Sequence, residues 1–437
     1  MDRKSGLWTT LSSFCKSSHF RSATVDELIL GDDFFRRPVR PEDLEFLKFD
    51  RPIRAEEFAG LSSLMSHRTL LSLNERGEAR LPQRRDAASI ASWRSFYRVQ
   101  NDSCIEAVCR QLETHVFGFL DGDRPEDPIS IDPAHAFDLS FAYWRDQKRR
   151  LEQSGYDREG LTFIMIQHVP LASSVGAHRL PDEIAHVIAG SRPKETAIVL
   201  DGLFDSLEMR AGRHPYWQFY LPGSLAAVNL LHRYARSPLT IGEYAGARLS
   251  YEADRLALRA VFAETGPALA ERFHHDLKAT DSALASLLKD RIGDDGPTGA
   301  ARGAGQMGRL LDMAHRELSE QLTWISNLGW SKRAAAEISA LLDREVRQID
   351  RETFIEPREM CSTTHVHDDH RLVVIESGRM RFWGNASGFH DMGPGDMILV
   401  PKHRLHGSTV LSEQCVYHQP IIPDEWKRQI PSWSAQV

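Results

Sequence analysis

Cysteine is scarce. Five residues (Cys15, Cys104, Cys109, Cys361 and Cys415) are scattered over 437 positions with no C-x-x-C pair. That is too few for a disulfide framework and wrongly spaced for a zinc finger. Long apolar runs are missing as well: no stretch of about 18 apolar residues occurs, so no membrane-spanning helix is expected. The first residues, MDRKSGLWTTLSSF, lack the continuous apolar core of a secretion signal, and a cytoplasmic, reduced protein is expected. Nor is there an excess of positive charge. Lys and Arg number 54 against 61 Asp and Glu, for a net charge of -7, which leaves no footprint for nucleic acid. Short basic clusters such as Lys148, Arg149 and Arg150 read as solvated helix faces. What remains is ordinary, with 26% charged and 41% hydrophobic residues, the profile of a globular chain of two or three domains.

The chain divides by pattern. Residues 1 to about 130 read as helical, with a three-to-four apolar spacing from Ile90 to Leu120 that stops at Asp121-Gly122-Asp123. A second helical region follows, to about residue 345. Within it LSYEADRLALRAVF aligns Leu249, Ala253, Leu256 and Ala260 on one stripe, with Glu252 at its edge. SNLGWSKRAAAEISALLDREVRQID, from Ser326, reads as a final helix and connector. Gly303-x-Gly305-x-x-Gly308 formally matches a dinucleotide fingerprint. It lacks the preceding strand that the fingerprint requires, and reads as a flexible loop. After about residue 350 the pattern shortens to period-two runs broken by Gly and Pro, which implies a small all-β barrel or jelly roll.

At the start of that region, TTHVHDDHRLVVIESG carries three histidines. Alternation along a strand puts His365 and His367 on one face and turns His370 away unless the chain bulges. These residues resemble the cupin family. His365-x-His367 with Gly378 fits its first motif, and Gly395-Asp396, Pro401 and His406 fit its second. Three imidazoles, His365, His367 and His406, would hold a divalent metal and leave two or three coordination positions open. Where the cupin pattern usually adds a Glu, Arg371 and Leu372 stand, and a guanidinium has no lone pair to give. His403 occupies a position where the turn usually has Gly, and His418 falls off the face of Tyr417. Ligand type alone leaves Zn, Cu, Ni and Mn open beside iron.

A wider resemblance covers about residues 90 to 420. It is carried by WRSFYRVQ from Trp93, FGFLDGD from Phe117, HPYWQFYLPGSLAAVNLLHRYA from His214, HRLHG from His403 and CVY from Cys415. These segments resemble the N-nitrosourea-forming metalloenzymes of the streptozotocin type. The resemblance implies an N-terminal helical dimerisation domain (1–130), a haem-oxygenase-like helical bundle (131–345) and a C-terminal cupin (346–437). It also implies a homodimer, Fe(II) at one site per chain in the cupin, O₂ as co-substrate and a hydroxylated arginine derivative as substrate. The cupin would rearrange the hydroxylated guanidine with formation of an N–N bond. Tyr417 and Arg381, on matching strands, are candidates to orient the substrate.

The di-iron ligands of that family do not carry over. Its last ligand helix reads His-x-x-x-Asp-x-x-His, with a Phe three residues before the first His. Anchored on Phe273, the positions hold Asp276, Thr280 and Ala283. Shifted registers give His274, Lys278 and Asp281, or His275, Ala279 and Ser282. No Glu occurs between Glu159 and Glu183, and no His between His186 and His214. Glu252 alone stands at a family ligand position, so a metal-free helical domain is expected. Two other readings stay open: a three-histidine cupin dioxygenase of another small molecule, and a non-catalytic cupin that binds a small molecule.

Overall fold

The structure, a computed structural model, describes residues 51–75, 87–88, 91, 102–122, 132–174, 181–190, 203–209, 214, 216–262, 267–344, 349–358, 364–385 and 388–434. The Trp93 segment and most of the N-terminal region lie outside these residues. Helices come first, then strands. The principal helices are α1 (Leu61–Asn74), α2 (Asp102–Gly122), α3 (Pro133–Ser154), α4 (Asp157–Ser174), α5 (Asp182–Gly190), α6 (Pro222–Ala235), α7 (Ile241–Phe262), α8 (Pro267–Ile292), α9 (Asp295–Ile325) and α10 (Leu328–Arg344). Local chemistry sets their ends. At the start of α3 the Asp132 carboxylate accepts the Ala134 N–H at 2.9 Å, and Gly155, in the left-handed region at φ 65°, closes it.

Helix α7 is the axis of the bundle, packed most extensively against α9 and α3. Its stripe of Leu249, Ala253, Leu256 and Ala260 is buried. Glu252 is not at the edge of that stripe but wholly enclosed, since α7 is covered on nearly all sides. The glycine-rich segment is a correction to the sequence reading. Gly303, Gly305 and Gly308 lie inside α9. A Cβ on Gly303 would stand 2.0 Å from the Glu243 carbonyl oxygen, and one on Gly246 would stand 1.9 Å from that of Ala300. These glycines let two helix backbones touch, a use that periodicity in one helix cannot reveal.

The strands form two antiparallel sheets. One runs β1 (Thr353–Pro357), β7 (Gln414–His418), β2 (His370–Ser377), β5 (Met397–Val400), with β8 (Ile421–Ile422) also on β2. The other runs β4 (Phe389–Met392), β3 (Met380–Trp383), β6 (Gly407–Val410). Gly378 and Gly395, the two motif glycines, both take positive φ, at 83° and 85°, as their turns require. The chain is thus a multidomain α + β protein, with a helical region followed by a cupin-like domain. Among the described residues no helix is long and apolar enough to cross a membrane.

The two parts are joined through buried polar contacts. The Gln321 amide of α9 donates to the carbonyls of Leu405 (2.9 Å) and Gly384 (3.0 Å), and accepts the Leu405 N–H at 2.9 Å. From α1, the Arg68 guanidinium donates to the Thr364 carbonyl at 2.6 Å, to the Thr364 hydroxyl at 3.1 Å and to the Gln218 carbonyl at 3.0 Å. Thr364 and Leu405 immediately precede His365 and His406 in the chain. Two helices therefore brace the segments that carry the candidate ligands.

Candidate metal centre

His365 and His406 face each other across an isolated antiparallel bridge. The His365 N–H donates to the His406 carbonyl at 2.8 Å, and the His406 N–H returns to the His365 carbonyl at 3.0 Å. His367, two residues on, points to the same side. Its carbonyl takes the N–H of His403 at 2.8 Å, where the turn reverses with His403 at φ 62°, in the left-handed region that glycine adopts most easily.

One donor atom from each of His365, His367 and His406 lies within 4.8 Å of the other two, the only such group of histidine, cysteine or carboxylate side chains among the described residues. The Nε2 atoms of His365 and His367 are 3.3 Å apart. Two nitrogens each about 2.1 Å from a common ion, at roughly 90° to 110°, stand roughly 3.0 to 3.4 Å apart, so the pair is set for one ion. His406 Nδ1–H donates to the Arg404 carbonyl at 2.8 Å. That contact fixes the tautomer and leaves the Nε2 lone pair facing inward. That Nε2 is buried with no hydrogen-bond partner, a cost that a bound cation would remove. Desolvation, reinforced by the neighbouring His365, holds His367 and His406 well below the usual imidazole range, His406 at about 3. Neutral imidazoles are what a metal needs. The ring of Phe382 stacks on His406 with centroids 5.5 Å apart, and Trp324 of α9 meets it edge-on at 6.5 Å. The residues present fit a metal ion.

The other candidates are placed elsewhere. His370 does not join the triad because both its nitrogens are engaged: Nε2 with Asp424 at 2.9 Å, Nδ1 with the Lys402 N–H at 3.0 Å. His418 sits between Thr353 and Glu376. Arg381 is a correction. Its strand neighbour Phe382 packs on His406, so Arg381 projects to the opposite face. There it grips Asp391 with two hydrogen bonds of 2.6 and 2.9 Å. Tyr417 is buried beside Phe354 and its hydroxyl donates to Glu356 at 3.0 Å. Burial, with the Glu356 charge, pushes that phenol up.

In the helical region Glu252 lies between two arginines, 3.6 Å from Arg248 and 3.5 Å from Arg255. The inward face of α8 is Phe273, Leu277, Thr280 and Leu284, which offers neither imidazole nor carboxylate.

One residue beside the three histidines was not foreseen. Gln419 Nε2 stands 3.3 Å from His367 Nε2. The signal was in the sequence: period-two continuation from Cys415 and Tyr417 along β7 reaches Gln419 on the same face.

Comparison with known proteins bears on what such a centre serves. Residues 352–428 match the family described as the AraC-like ligand binding domain. Over 432 residues the chain is 25% identical to the nitrosourea synthase of Streptomyces achromogenes subsp. streptozoticus, covering 90% of this chain and 91% of that enzyme. The chain is similar to nitrosourea synthase. The likeness to nitrosourea synthase runs through the helical region as well as the cupin, as the sequence segments implied, and places the chain beside an enzyme of N-nitroso biosynthesis.

Proposed function

We propose that the chain is an Fe(II)- and O₂-dependent cupin oxygenase that rearranges a hydroxylated guanidine, derived from arginine, into an N-nitroso product. The observation that carries the reading is the convergence of His365, His367 and His406 on one point, in a chain similar along 90% of its length to nitrosourea synthase. His365, His367 and His406 would hold the ion through neutral nitrogens, so the site keeps the full charge of the metal to draw a chelating N–O group. Bound iron would supply the electrons for O₂ reduction and open positions where substrate and O₂ meet. Trp324 and Phe382 exclude water from the His406 side of the centre. Tyr417, on the strand face that leads to Gln419, gives its one proton to Glu356, and its hydroxyl oxygen, as an acceptor, is what we assign to orienting the substrate. A homodimer is part of the same proposal.

Glu252 is held by Arg248 and Arg255, which supports a helical domain that binds no metal. N-hydroxylation then falls to a separate enzyme. The match to a ligand binding domain favours a second reading, a small-molecule-binding cupin without chemistry. Three inward imidazoles, one with an unpartnered buried lone pair, favour the first.

The test is O₂ uptake by the anaerobically iron-loaded chain. Uptake with a hydroxylated arginine derivative, giving an N-nitroso product by mass spectrometry, is expected, and none with the unhydroxylated derivative. No uptake with any hydroxylated guanidine would remove the oxygenase reading. Turnover of plain methylarginine, lost in Glu252→Gln, would mean that the helical region holds a working metal site.

A further inference from the structure

Cupin metal sites of the pattern noted above add a glutamate to their histidines, and here Arg371 occupies that region of the strand. The arginine does not leave the fourth place vacant by default. Its guanidinium pairs with Glu352 and donates to the Gln419 carbonyl at 3.1 Å. The Gln419 N–H is shared between the carbonyls of Arg351 (3.0 Å) and Glu352 (3.1 Å). Its backbone is therefore fixed at both polar ends, directly after β7. From that base the side chain reaches the triad, with Nε2 3.3 Å from His367 Nε2. This equals the separation between the His365 and His367 donors, and lies in the range that neighbouring ligands of one ion take.

We propose that Gln419 is the fourth protein ligand of the metal, through its amide oxygen. This rests on the three-histidine reading of the site and deepens it. The amide nitrogen cannot ligate, because its lone pair is delocalised into the carbonyl; with His367 free it donates to the imidazole lone pair. Once that lone pair is turned to a cation, the N–H meets a positive charge and is repelled. A half-turn about the last side-chain bond then puts the oxygen in nearly the same place. Carbonyl oxygens suit hard and borderline divalent ions. The exchange of glutamate for glutamine also changes the charge balance. Four neutral donors leave the ion its full double charge, whereas a carboxylate would cancel half of it. Such a centre favours anionic chelators, and a deprotonated hydroxyguanidine is one. Arg371, by this argument, is a positioning residue that acts through Gln419.

The experiment is anaerobic titration of the apo chain with Co(II), with affinity read by competition against a chelator and geometry read from the visible absorption of bound Co(II). Wild type, Gln419→Ala, Gln419→Glu and His406→Ala are compared. Gln419→Ala should weaken Co(II) by about tenfold, roughly 1.4 kcal/mol, and shift its absorption bands. Gln419→Glu should bind at least as tightly as wild type, because it restores an oxygen donor and adds charge. Equal affinity and an unchanged Co(II) spectrum in Gln419→Ala would overturn the assignment while His406→Ala still loses the metal. A wild type that takes up no Co(II), or a His406→Ala that loses none, would overturn the three-histidine centre together with it.

Discussion

Glu317 of α9 offers a test of the buried bundle that needs neither metal nor substrate. Its side chain is enclosed beside a cavity of ≈ 30 Å³ lined also by His168, Tyr251, Asp254 and His315. One oxygen accepts the Gly223 N–H at 2.9 Å and the other has no partner. Burial raises its pKa from 4.5 to about 8, against smaller opposing effects of the Gly223 N–H and Arg404. In the unfolded chain the carboxyl ionises near 4.5; in the folded chain it keeps its proton to about 8. Between those values the native state binds one proton more than the unfolded state, so stability falls as pH rises, by about 1.4 kcal/mol per pH unit. Over the full window the upper bound is roughly 5 kcal/mol. Room for a water beside the carboxylate should reduce this to a few kcal/mol. Glu317→Gln keeps the shape and the acceptor for Gly223 but cannot ionise. Urea unfolding at pH 5, 6, 7 and 8 should find the two proteins similar at the acid end, with the variant gaining steadily towards pH 8. The difference between them cancels every other titrating group. A difference that stays flat across that range would refute the reasoning.

Other perturbations have equally definite outcomes. His406→Ala should abolish tight metal binding in a chelator competition, since the two remaining imidazoles, His365 and His367, leave a labile site. His370→Ala should keep the metal but lower the melting temperature, because His370 ties Asp424 and Lys402 together; parallel metal loss in both variants would make His370 a ligand. Gln321→Ala removes three hydrogen bonds around Leu405 and Gly384. It should cost about 2–3 kcal/mol in unfolding experiments and loosen the metal, whereas unchanged affinity would show that the brace does not reach His406. Gly303→Ala forces a methyl against the Glu243 carbonyl and should destabilise the bundle by about 1–3 kcal/mol; a neutral change in melting temperature would mean that α7 and α9 part freely. Glu252→Gln should leave metal content unaltered by elemental analysis.

The convergence of the three histidines was readable because they lie in two short motifs, and alternation along an extended chain fixes which side each takes. Alternation also determines the fate of Arg381, but only once the inward residue of β3 is known, and Phe382 against His406 supplies that. Gln419 needed the same rule carried one step past the end of β7. The helical braces were beyond sequence reasoning. Arg68 meets Thr364 across 296 positions and Gln321 meets Leu405 across 84, and nothing local marks either as a partner. The glycines of α9 failed for the same cause, since their meaning lies in the backbone of another helix.

The backbone bridge between His365 and His406 has a consequence for how the protein matures. Two reciprocal N–H to carbonyl bonds bring these candidate ligands together, and Arg68 and Gln321 hold the adjoining residues, all through contacts of the chain itself. If the proposed centre is loaded, folding is expected to come first and loading second. A small zinc domain works the other way, because its chain stays unfolded until the ion arrives. Here a chelator should strip the centre and leave a folded protein ready to be refilled. Which ion such a centre would carry would then be decided after folding, by supply and by competition among divalent ions. An expression host rich in zinc or copper would then deliver a well-folded protein without the proposed iron.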